Sequence, residues 1–521
     1  MNPEHLRPFE RFAGKTGLVM GLGLFGGGVE AAKFLCRYCS HVVVTDLRDA
    51  TVLQESINEL KGLAIEYRLG EHRQQDFRNA QVVIHSPAVR PDNELLQLAR
   101  DNGAEVTQEM SLFIEACPAT TIGITGSNGK TTTTALCYEM LCEVMHRAQP
   151  ELQGQWAAPV AAASQPPADI EARVWLGGNI GTPLLNRLPE MTFWDVVVLE
   201  LSSFQLMDWA RIKRSCHTGV ITNITPNHLD WHRDLAEYEA AKRNVFEFWS
   251  EWGDAPTAIV NGDDPACRRM AQQNPGRYRL FSASQPLIAQ MFQPARMQPF
   301  ASGQGGNLQV QGLVGRPLLT RQDLALPGDF NWSNALAAAT AALRVLEDDE
   351  SGAIARAARR FRGVEHRLEY CGTVNGARCF NDSIATDPTA TLAALSVFRS
   401  GVHLILGGAS DKGAGYDKLA LAIAQHPGIA GLYLQGPTAG KLRQSLGQAG
   451  VKSAQDFAGF EAACAAAMAA ARENEVVLMS PASTSFYEHA PGKRFTNFED
   501  RGRCFKALVK DKASTGDKAA S

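Results

Sequence analysis

The residues best suited to chemistry follow an apolar, β-branched run at 121–125 and read Gly126-Ser127-Asn128-Gly129-Lys130-Thr131-Thr132. Helix-favouring residues 135–141 come next. Glycines let backbone N–H groups close on phosphate oxygens, and the following helix N-terminus adds partial positive charge. Lys130 would reach the outer phosphates, and the Thr131 hydroxyl would ligate Mg²⁺. The pattern predicts a variant nucleotide phosphate loop, because Ile124 stands where the general motif has its first glycine.

Two further candidate metal ligands follow apolar runs of the same region. Glu200 ends the run 195–199, and His228 comes shortly after the run 218–224. Parallel sheets gather their ligands at the carboxyl ends of strands, so Thr131, Glu200 and His228 are predicted to share one face and hold Mg²⁺. The residues alone leave a second interpretation open, in which Glu200 caps a helix and His228 completes a turn.

A second glycine motif lies near the N-terminus, Gly21-Leu22-Gly23-Leu24-Phe25-Gly26, and Asp46 ends the next apolar run. This arrangement is typical of a sheet that binds a phosphate-bearing ligand, with the acid near a ribose or base. An NAD-dependent oxidoreductase built on this motif is one alternative. It leaves the rest of the chain unexplained.

Composition excludes several classes of protein. The formal net charge of −4 gives no indication of a nucleic-acid partner. The N-terminus lacks the apolar core of a signal peptide, and no apolar run reaches membrane-spanning length, so we expect a cytoplasmic protein without membrane insertion. The 11 cysteines are scattered, and Cys36 and Cys39 are interpreted as structural thiols.

Apolar runs alternate with helical patterns along the whole chain, which predicts an α/β fold with parallel sheets in three domains. We expect a Rossmann-like N-terminal domain at 1–118 and a central P-loop ATPase-like domain at 119–363. A Rossmann-like C-terminal domain at 364–521 would complete the chain. Residues at about 147–171 are rich in Ala, Gln and Pro and predict a flexible insertion, and the polar tail after Leu508 predicts disorder.

Together these motifs resemble the Mur ligases of peptidoglycan synthesis, and in particular the glutamate-adding branch of that family. Besides the phosphate loop, the segments that carry the resemblance are Gly178-Asn179-Ile180-Gly181, Leu199-Glu200-Leu201-Ser202-Ser203-Phe204-Gln205-Leu206, Asn223-Ile224-Thr225-Pro226-Asn227-His228-Leu229-Asp230, Tyr238-Glu239-Ala240-Ala241-Lys242, Glu365-His366-Arg367, Asn381-Asp382-Ser383, Ser480-Pro481-Ala482-Ser483 and Asn497-Phe498-Glu499-Asp500-Arg501-Gly502. They occur in order over about residues 16–506.

The resemblance implies an ATP-dependent ligase of cell-wall synthesis. ATP would phosphorylate the terminal carboxylate of UDP-N-acetylmuramoyl-L-alanine, and the amine of glutamate, with the D-enantiomer favoured, would attack the acyl phosphate. The family also implies two Mg²⁺ sites and a lysine carbamylated by CO₂, which Lys242 matches. By pattern alone Lys242 would be an exposed helix lysine. We expect a monomer.

The resemblance also implies roles for residues by position. Lys130, His228 and Lys242 match catalytic positions, and Thr131, Glu200 and His228 match magnesium ligands. The nucleotide positions are Gly126, Ser127, Asn128, Gly129, Lys130, Thr131, Thr132, Asn331, Asn334, Arg367 and Asp382. The UDP-sugar positions are Leu24, Phe25, Asp46, Arg48 and Asn179. The glutamate positions are Thr386, Lys412, Ser485 and Phe498.

The chain departs from the family pattern at the acceptor site. Ile384 replaces the family's lysine, and residues at about 489–494 are inserted, where Lys493 or Arg494 would restore a cation. A variant that adds L-glutamate is therefore an alternative. Folylpolyglutamate synthetase and a non-catalytic nucleotide-binding protein are the others. The N-terminal glycine-rich domain disfavours folylpolyglutamate synthetase. A non-catalytic protein is disfavoured because four residues of the proposed chemistry are intact, namely Lys130, Glu200, His228 and Lys242.

Overall fold

A computed structural model gives the fold of the chain. It describes residues 4–24, 26–147, 172–228, 231–248, 255–274, 277–283, 301–302, 307–310, 319–324, 326, 328–345, 352–411 and 415–519. The predicted insertion beyond Arg147, and the predicted site residues Phe25 and Lys412, lie outside these ranges. Two compact units are formed, Met1–Ala325 with Asp329–Phe361, and Leu326–Gly328 with Arg362–Ser521.

The first unit opens with a five-stranded, all-parallel sheet in the order β3-β2-β1-β4-β5. Its strands are β1 (Thr16–Met20), β2 (His41–Asp46), β3 (Ile65–Leu69), β4 (Val82–His85) and β5 (Glu105–Thr107). Its helices are α1 (Gly27–Tyr38), α2 (Gln54–Glu59), α3 (Gln74–Asn79), α4 (Glu94–Asp101) and α5 (Glu109–Ala116), preceded by a 3₁₀ helix at Glu4–Phe12. Strands β1, β2 and β4 are buried over nearly their whole length, as expected for a parallel sheet with helices on both faces.

A nine-stranded sheet follows in the same unit, in the order β14-β13-β12-β11-β10-β9-β6-β8-β7. Its strands are β6 (Thr120–Thr125), β7 (Val174–Gly178), β8 (Val196–Glu200), β9 (Thr218–Ile221), β10 (Thr257–Asn261), β11 (Tyr278–Ser282), β12 (Ala301–Ser302), β13 (Asn307–Val310) and β14 (Leu319–Thr320). Its helices are α6 (Lys130–Arg147), α7 (Ser203–Ile212), α8 (Leu235–Arg243), α9 (Pro265–Gln273), α10 (Asp329–Val345) and α11 (Ala353–Arg360), with 3₁₀ turns at Leu185–Glu190 and Arg321–Asp323. Among the strand pairs that the structure describes in this sheet, the β12–β13 and β13–β14 pairs are antiparallel and the others are parallel.

The second unit holds a six-stranded sheet in the order β15-β16-β20-β17-β18-β19, parallel except for the β15–β16 pair. Its strands are β15 (Glu369–Val374), β16 (Ala377–Asn381), β17 (Val402–Leu406), β18 (Ile429–Leu434), β19 (Ala454–Asp456) and β20 (Val476–Met479). A hairpin of β21 (Glu488–Ala490) and β22 (Lys493–Arg494) follows. The helices are α12 (Pro388–Leu395), α13 (Asp417–Gln425), α14 (Ala439–Gln448), α15 (Phe460–Ala470) and α16 (Phe498–Ala519).

One hydrophobic cluster joins the first two sheets. It runs from Phe9 and Phe34 beside the first sheet to Leu185 and Trp209 beside the second. Close packing of this kind fixes the first glycine turn relative to the phosphate loop. The predicted α/β class with three parallel-sheet domains is confirmed.

The C-terminal helix corrects one expectation. Disorder was predicted after Leu508, but α16 continues to Ala519. Phe505 and Val509 lie one turn apart and are both buried, so the helix must extend beyond Leu508 to pack its apolar face. None of the helices in the described ranges is long and apolar enough to span a bilayer.

Candidate active site

The phosphate loop has the predicted strand–loop–helix form. Strand β6 ends at Thr125 and α6 begins at Lys130. Gly126 and Gly129 adopt φ values of 151° and 81°, which favour glycine. A Cβ at Gly126 would collide with the Thr222 hydroxyl, and one at Gly129 with the amide oxygen of Asn334. Only glycine therefore fits at these two positions.

The loop is held in shape by the chain that follows β9. The Asn128 N–H donates to Asn223 Oδ1 over 2.9 Å, and the Thr222 hydroxyl donates to the Asn128 carbonyl over 2.6 Å. The Ser127 N–H donates to the Asn223 carbonyl over 2.9 Å. The Lys130 ammonium donates to the Ser127 carbonyl over 3.2 Å. The loop is thus preorganised by the protein itself, with its lysine folded over it.

Glu200 lies at the end of β8, directly beside Ile124 of the phosphate-loop strand. Its side chain is buried, with 3% of its surface exposed. One carboxylate oxygen accepts a hydrogen bond of 3.3 Å from the Asn179 amide, and the other has no partner within the described part of the chain. A buried carboxylate with an unpaired oxygen is unfavourable unless a cation completes it, so Glu200 fits a magnesium site.

Lys242 reaches the same place from α8. It is 1% exposed, and its ammonium donates to the Gly126 carbonyl over 2.9 Å and to the Thr125 hydroxyl over 3.3 Å. The nitrogen lies 4.4 Å from the centre of the Tyr238 ring. Burial lowers the pKa of Lys242 well below its ordinary value; the charge of Lys130 lowers it further, and Glu200 opposes the shift.

The expectation of an exposed helix lysine at position 242 was therefore wrong. Tyr238, Ala241 and Val245 are buried apolar residues at helical spacing, and position 242 lies on the same face. That periodicity was the signal that pattern reasoning missed.

His228 lies in the segment between β9 and α8, with its side chain exposed and its backbone at φ 55°. Its ring packs edge-on against Phe204, with 5.0 Å between ring centres. The motif residues Leu229 and Asp230 lie outside the described ranges.

The other predicted nucleotide positions of the first unit also gather at the loop. Thr131 and Thr132 lie buried in the first turn of α6. Asn334 lies against Gly129, and its amide donates to Asn331 Oδ1 over 3.3 Å. Asn331 and Asn334 are both buried although they are polar. Helix α10 therefore brings two amide side chains to the phosphate loop.

Three of the predicted UDP-sugar residues, Leu24, Asp46 and Arg48, lie at the carboxyl edge of the first sheet. Asp46 accepts hydrogen bonds from the N–H groups of Gly23 (3.1 Å) and Arg48 (2.9 Å) and from Arg48 Nε (3.0 Å). Burial alone would raise the pKa of Asp46, but these hydrogen bonds hold it below its ordinary value. Leu24 is exposed beside them, and Asn179 lies exposed next to Glu200.

In the second unit, Asp382 is buried at the end of β16. It accepts hydrogen bonds from the Ser480 hydroxyl (2.7 Å) and the Leu368 N–H (3.2 Å). Burial raises the pKa of Asp382 to about 7, against the opposing effects of Ser480 and the Arg367 charge. Arg367 therefore lies near enough to Asp382 to affect its ionisation.

The predicted glutamate residues lie on three segments that Arg501 ties together. Its fully buried guanidinium donates to the Ser383 hydroxyl and carbonyl and to the carbonyls of Ser483 and Thr484. The Ser383 hydroxyl also donates to the Phe498 carbonyl over 2.7 Å. These bonds bring together three segments, 383–386, 483–485 and the one that begins at Phe498, through Ser383, Ser483, Thr484 and Phe498. They include the predicted Thr386, Ser485 and Phe498.

The inserted residues form the β21–β22 hairpin. Lys493 and Arg494 are both exposed on it, and the Arg494 guanidinium donates to the Phe486 carbonyl over 3.3 Å. Phe486 is next to Ser485, so a cation lies beside the predicted glutamate segment. Ile384 is half-buried on the neighbouring segment.

Comparison with protein families agrees with this architecture. The MurD-like N-terminal domain of Mur ligases matches residues 15–108, the Mur ligase middle domain matches 124–342, and the glutamate ligase domain of Mur ligases matches 366–483. The chain belongs to the Mur ligase family.

Its curated relatives include UDP-N-acetylmuramoylalanine–D-glutamate ligases. That of Roseiflexus sp. (strain RS-1) is 37% identical over 514 residues, which are 96% of this chain and 99% of the relative. That of Acetivibrio thermocellus is 34% identical over 507 residues, 96% of this chain and 97% of the relative. Among solved structures, the MurF ligase of Thermotoga maritima in complex with ADP is similar at a TM-score of 0.49 and 14% identity, over 97% of both chains.

Proposed function

We propose that this protein is an ATP-dependent ligase that joins glutamate to UDP-N-acetylmuramoyl-L-alanine in peptidoglycan synthesis. A carboxylate oxygen of the sugar nucleotide attacks the γ-phosphorus of ATP, and ADP leaves. The amine of glutamate then attacks the resulting acyl phosphate, and the carbon–oxygen bond to phosphate breaks as the amide forms. Activation is needed because a free carboxylate is a poor acyl donor, whereas phosphate is a good leaving group.

The observation that carries this proposal is the convergence of three charged side chains on one loop. Lys242 interacts electrostatically with both Lys130 and Glu200, and its ammonium is bonded to the phosphate loop. The cation of Lys130 and the buried carboxylate of Glu200 suit a site where a phosphoryl group is transferred, and the buried amine of Lys242 lies against the same loop. A structural phosphate loop would not need a buried acid with an unpaired oxygen.

Magnesium would be held by Thr131, Glu200 and His228. The unpaired buried oxygen of Glu200 supports this assignment. Hydroxyl and carboxylate oxygens suit magnesium, and one imidazole is tolerable in a site otherwise built from oxygen. The ion would neutralise charge on the transferring phosphoryl group. Lys130 would act on the same charge.

We propose that Lys242 carries a carbamate formed with CO₂. Only a neutral amine attacks CO₂, and burial favours the neutral form of this lysine. The nitrogen forms a bond to the carbon of CO₂ and gives up one proton to solvent. The product is an anion with oxygen ligands, which removes the repulsion between an ammonium and magnesium. The hydrogen bonds to Gly126 and Thr125 place the group within reach of the loop.

The remaining assignments follow the family. Asn331, Asn334, Arg367 and Asp382 would contact the nucleotide. Leu24, Asp46, Arg48 and Asn179 would contact the UDP-sugar, and Thr386, Ser485 and Phe498 the glutamate. Phe25 stays a prediction for the UDP-sugar site, and Lys412 stays a prediction for the glutamate site. A monomeric, cytoplasmic enzyme fits the use of ATP and a nucleotide sugar.

D-glutamate is the proposed acceptor, because the curated relatives are named for it. Folylpolyglutamate synthetase is disfavoured by the match of residues 15–108 to a MurD-like N-terminal domain. The test is phosphate release from ATP with UDP-N-acetylmuramoyl-L-alanine and each glutamate enantiomer. Phosphate release with D-glutamate alone supports the proposal. Release with L-glutamate alone would mean that the protein is the L-glutamate-adding variant, and release with neither enantiomer refutes the proposal.

A further inference from the structure

The segment that carries His228 is fixed at both ends by different parts of the first unit. We call residues 225–234 the His228 segment; its described parts are 225–228 and 231–234. Residues 225–228, 233 and 234 are exposed, so the part that carries His228 has little hydrophobic packing of its own. A ligand on such a segment needs external anchors to keep its position.

The first anchor is the phosphate loop. The Ser127 hydroxyl donates to the Thr225 carbonyl over 2.8 Å, and the Thr225 N–H donates to the Ser127 hydroxyl oxygen over 2.9 Å. The beginning of the His228 segment is therefore fixed to the residues that would bind ATP.

The second anchor comes from the first sheet. The Trp231 indole N–H donates to the Ala88 carbonyl over 3.1 Å, and the Arg90 guanidinium donates to the Trp231 carbonyl. The same guanidinium lies 5.1 Å from the centre of the Trp231 ring, a cation–π contact. Asp92 holds Arg90 by two hydrogen bonds of 2.9 and 3.0 Å, which orients the guanidinium toward Trp231.

Arg90 and Ala88 follow β4 at the edge that carries the UDP-sugar residues. The neighbouring Ser86 N–H donates to the Met20 carbonyl over 2.8 Å, beside the first glycine turn. The end of the His228 segment is therefore fixed to the sheet that would bind the sugar nucleotide.

Between the two anchors, aromatic packing links the position of the Trp231 ring to that of the His228 ring. The Trp231 ring lies 4.6 Å from Phe204, and Phe204 lies 5.0 Å from His228. The N–H groups of Trp231 and His232 both donate to the His228 carbonyl. A shift of Trp231 would therefore move both the backbone and the ring of His228.

We infer that Arg90 is a positioning residue, which sets the place of the metal ligand His228 through Trp231 and couples the sugar-nucleotide sheet to the magnesium site. The inference rests on the proposed function. It assigns Arg90 no contact with substrate or metal. Its loss should change metal binding and kcat more than nucleotide affinity.

The test compares Arg90→Ala with Arg233→Ala. Arg233 lies on the same segment and pairs with Glu237, but its side chain is 76% exposed, and within the described residues it forms no bond to the first sheet. Binding of Mn²⁺, used as a probe for Mg²⁺, is followed by electron paramagnetic resonance in the presence of ADP. Arg90→Ala should weaken Mn²⁺ binding and lower kcat by about 10- to 100-fold each, with KM for ATP unchanged. Arg233→Ala should behave as the wild type.

Conservative variants keep the test decisive if Arg90→Ala does not fold. Arg90→Lys retains a charge near the ring but cannot bind Asp92 and Trp231 together, so it should rescue only part of the loss. Trp231→Phe keeps a ring and loses the bond to Ala88, and it should weaken Mn²⁺ binding in the same direction.

Mn²⁺ binding and kcat that match the wild type in the folded Arg90 and Trp231 variants would overturn the inference while leaving the proposed function intact. A wild type that releases no phosphate would refute the proposed function, and the Mn²⁺ titration would still decide the role of Arg90.

Discussion

The ammonium of Lys242 lies 2.9 Å from the carbonyl oxygen of Gly126, so a side chain from α8 is bonded to the loop that would hold the phosphates of ATP. The lysine is almost completely buried there, and burial lowers its pKa well below the ordinary value. A charged lysine beside Lys130 would be repelled, whereas a carbamate would attract both Lys130 and magnesium. The burial of this amine supports the proposed carbamate.

Replacing Lys242 with Ala should abolish ligase activity, because the oxygen ligand is lost. Added formate or acetate should restore part of it, since a small carboxylate can occupy the space that the side chain leaves. Rates are measured by phosphate release over a range of carboxylate concentrations, with Lys213→Ala as a control at an exposed lysine. A folded Lys242→Ala protein that no carboxylate rescues would speak against the carbamate.

Replacing Lys130 with Ala should reduce kcat by on the order of 10³-fold, because one preorganised cation is removed from the transferring phosphoryl group. The fold should survive, since glycine conformation and the bonds of Ser127 and Asn128 fix the loop. Circular dichroism and phosphate release test both points. Activity within tenfold of the wild type would mean that phosphates bind elsewhere.

Replacing Glu200 with Gln should abolish magnesium binding and raise the melting temperature of the metal-free protein. The metal loses an anionic ligand, while the folded state no longer buries a charge with an unpaired oxygen. Calorimetry without metal and Mn²⁺ titration check the two effects. The control is Glu190→Gln, an exposed acid paired with Arg187. Unchanged metal affinity in Glu200→Gln would remove this residue from the site.

Asp382 gives a stability prediction with a defined sign. Its pKa is raised by burial from 3.8 to about 7, so the folded protein keeps a proton that the unfolded chain has lost between those values. This contribution to stability is complete below pH 3.8 and is lost as the pH rises through about 7. Asp382→Asn should therefore gain melting temperature relative to the wild type between pH 5 and pH 8. A difference that is the same at both pH values would contradict the assignment.

Replacing Arg494 with Ala should raise KM for glutamate about two- to fivefold with little change in kcat, because an exposed cation contributes modest binding to a carboxylate. Arg494 lies beside the Ser485 segment through its bond to Phe486. The matched control is Arg443→Ala, an exposed arginine paired with Asp456 in the same unit. An unchanged KM would show that the hairpin does not replace the cation missing at Ile384.

Local patterns were sufficient for the phosphate loop and for the sheets. Gly126 and Gly129 act through their backbone conformation and Lys130 through its charge. These two properties depend on the residues of the loop itself, so a short stretch of sequence predicts them. The end of β8 was likewise predictable, because Glu200 terminates a continuous apolar run. The unpaired oxygen of Glu200 could not be predicted from the sequence, because it depends on which side chains the neighbouring strands bring to the same edge of the sheet.

Long-range contacts account for what the sequence did not predict. Trp231 and Arg90 are 141 residues apart, and nothing near either residue indicates their contact. The burial of Lys242 depends on α8 packing against the phosphate loop. The sequence pattern alone predicts that this face of α8 is exposed to solvent. The extension of α16 depends on Phe505 and Val509 finding an apolar surface in the second unit.

The central claim is that the γ-phosphoryl group of ATP passes to the carboxylate of UDP-N-acetylmuramoyl-L-alanine before the amide forms. Substrate labelled with ¹⁸O in that carboxylate tests it directly, with the released phosphate analysed by mass spectrometry. The account predicts that each phosphate released with product carries one oxygen atom from the carboxylate. Product formation with unlabelled phosphate would contradict it.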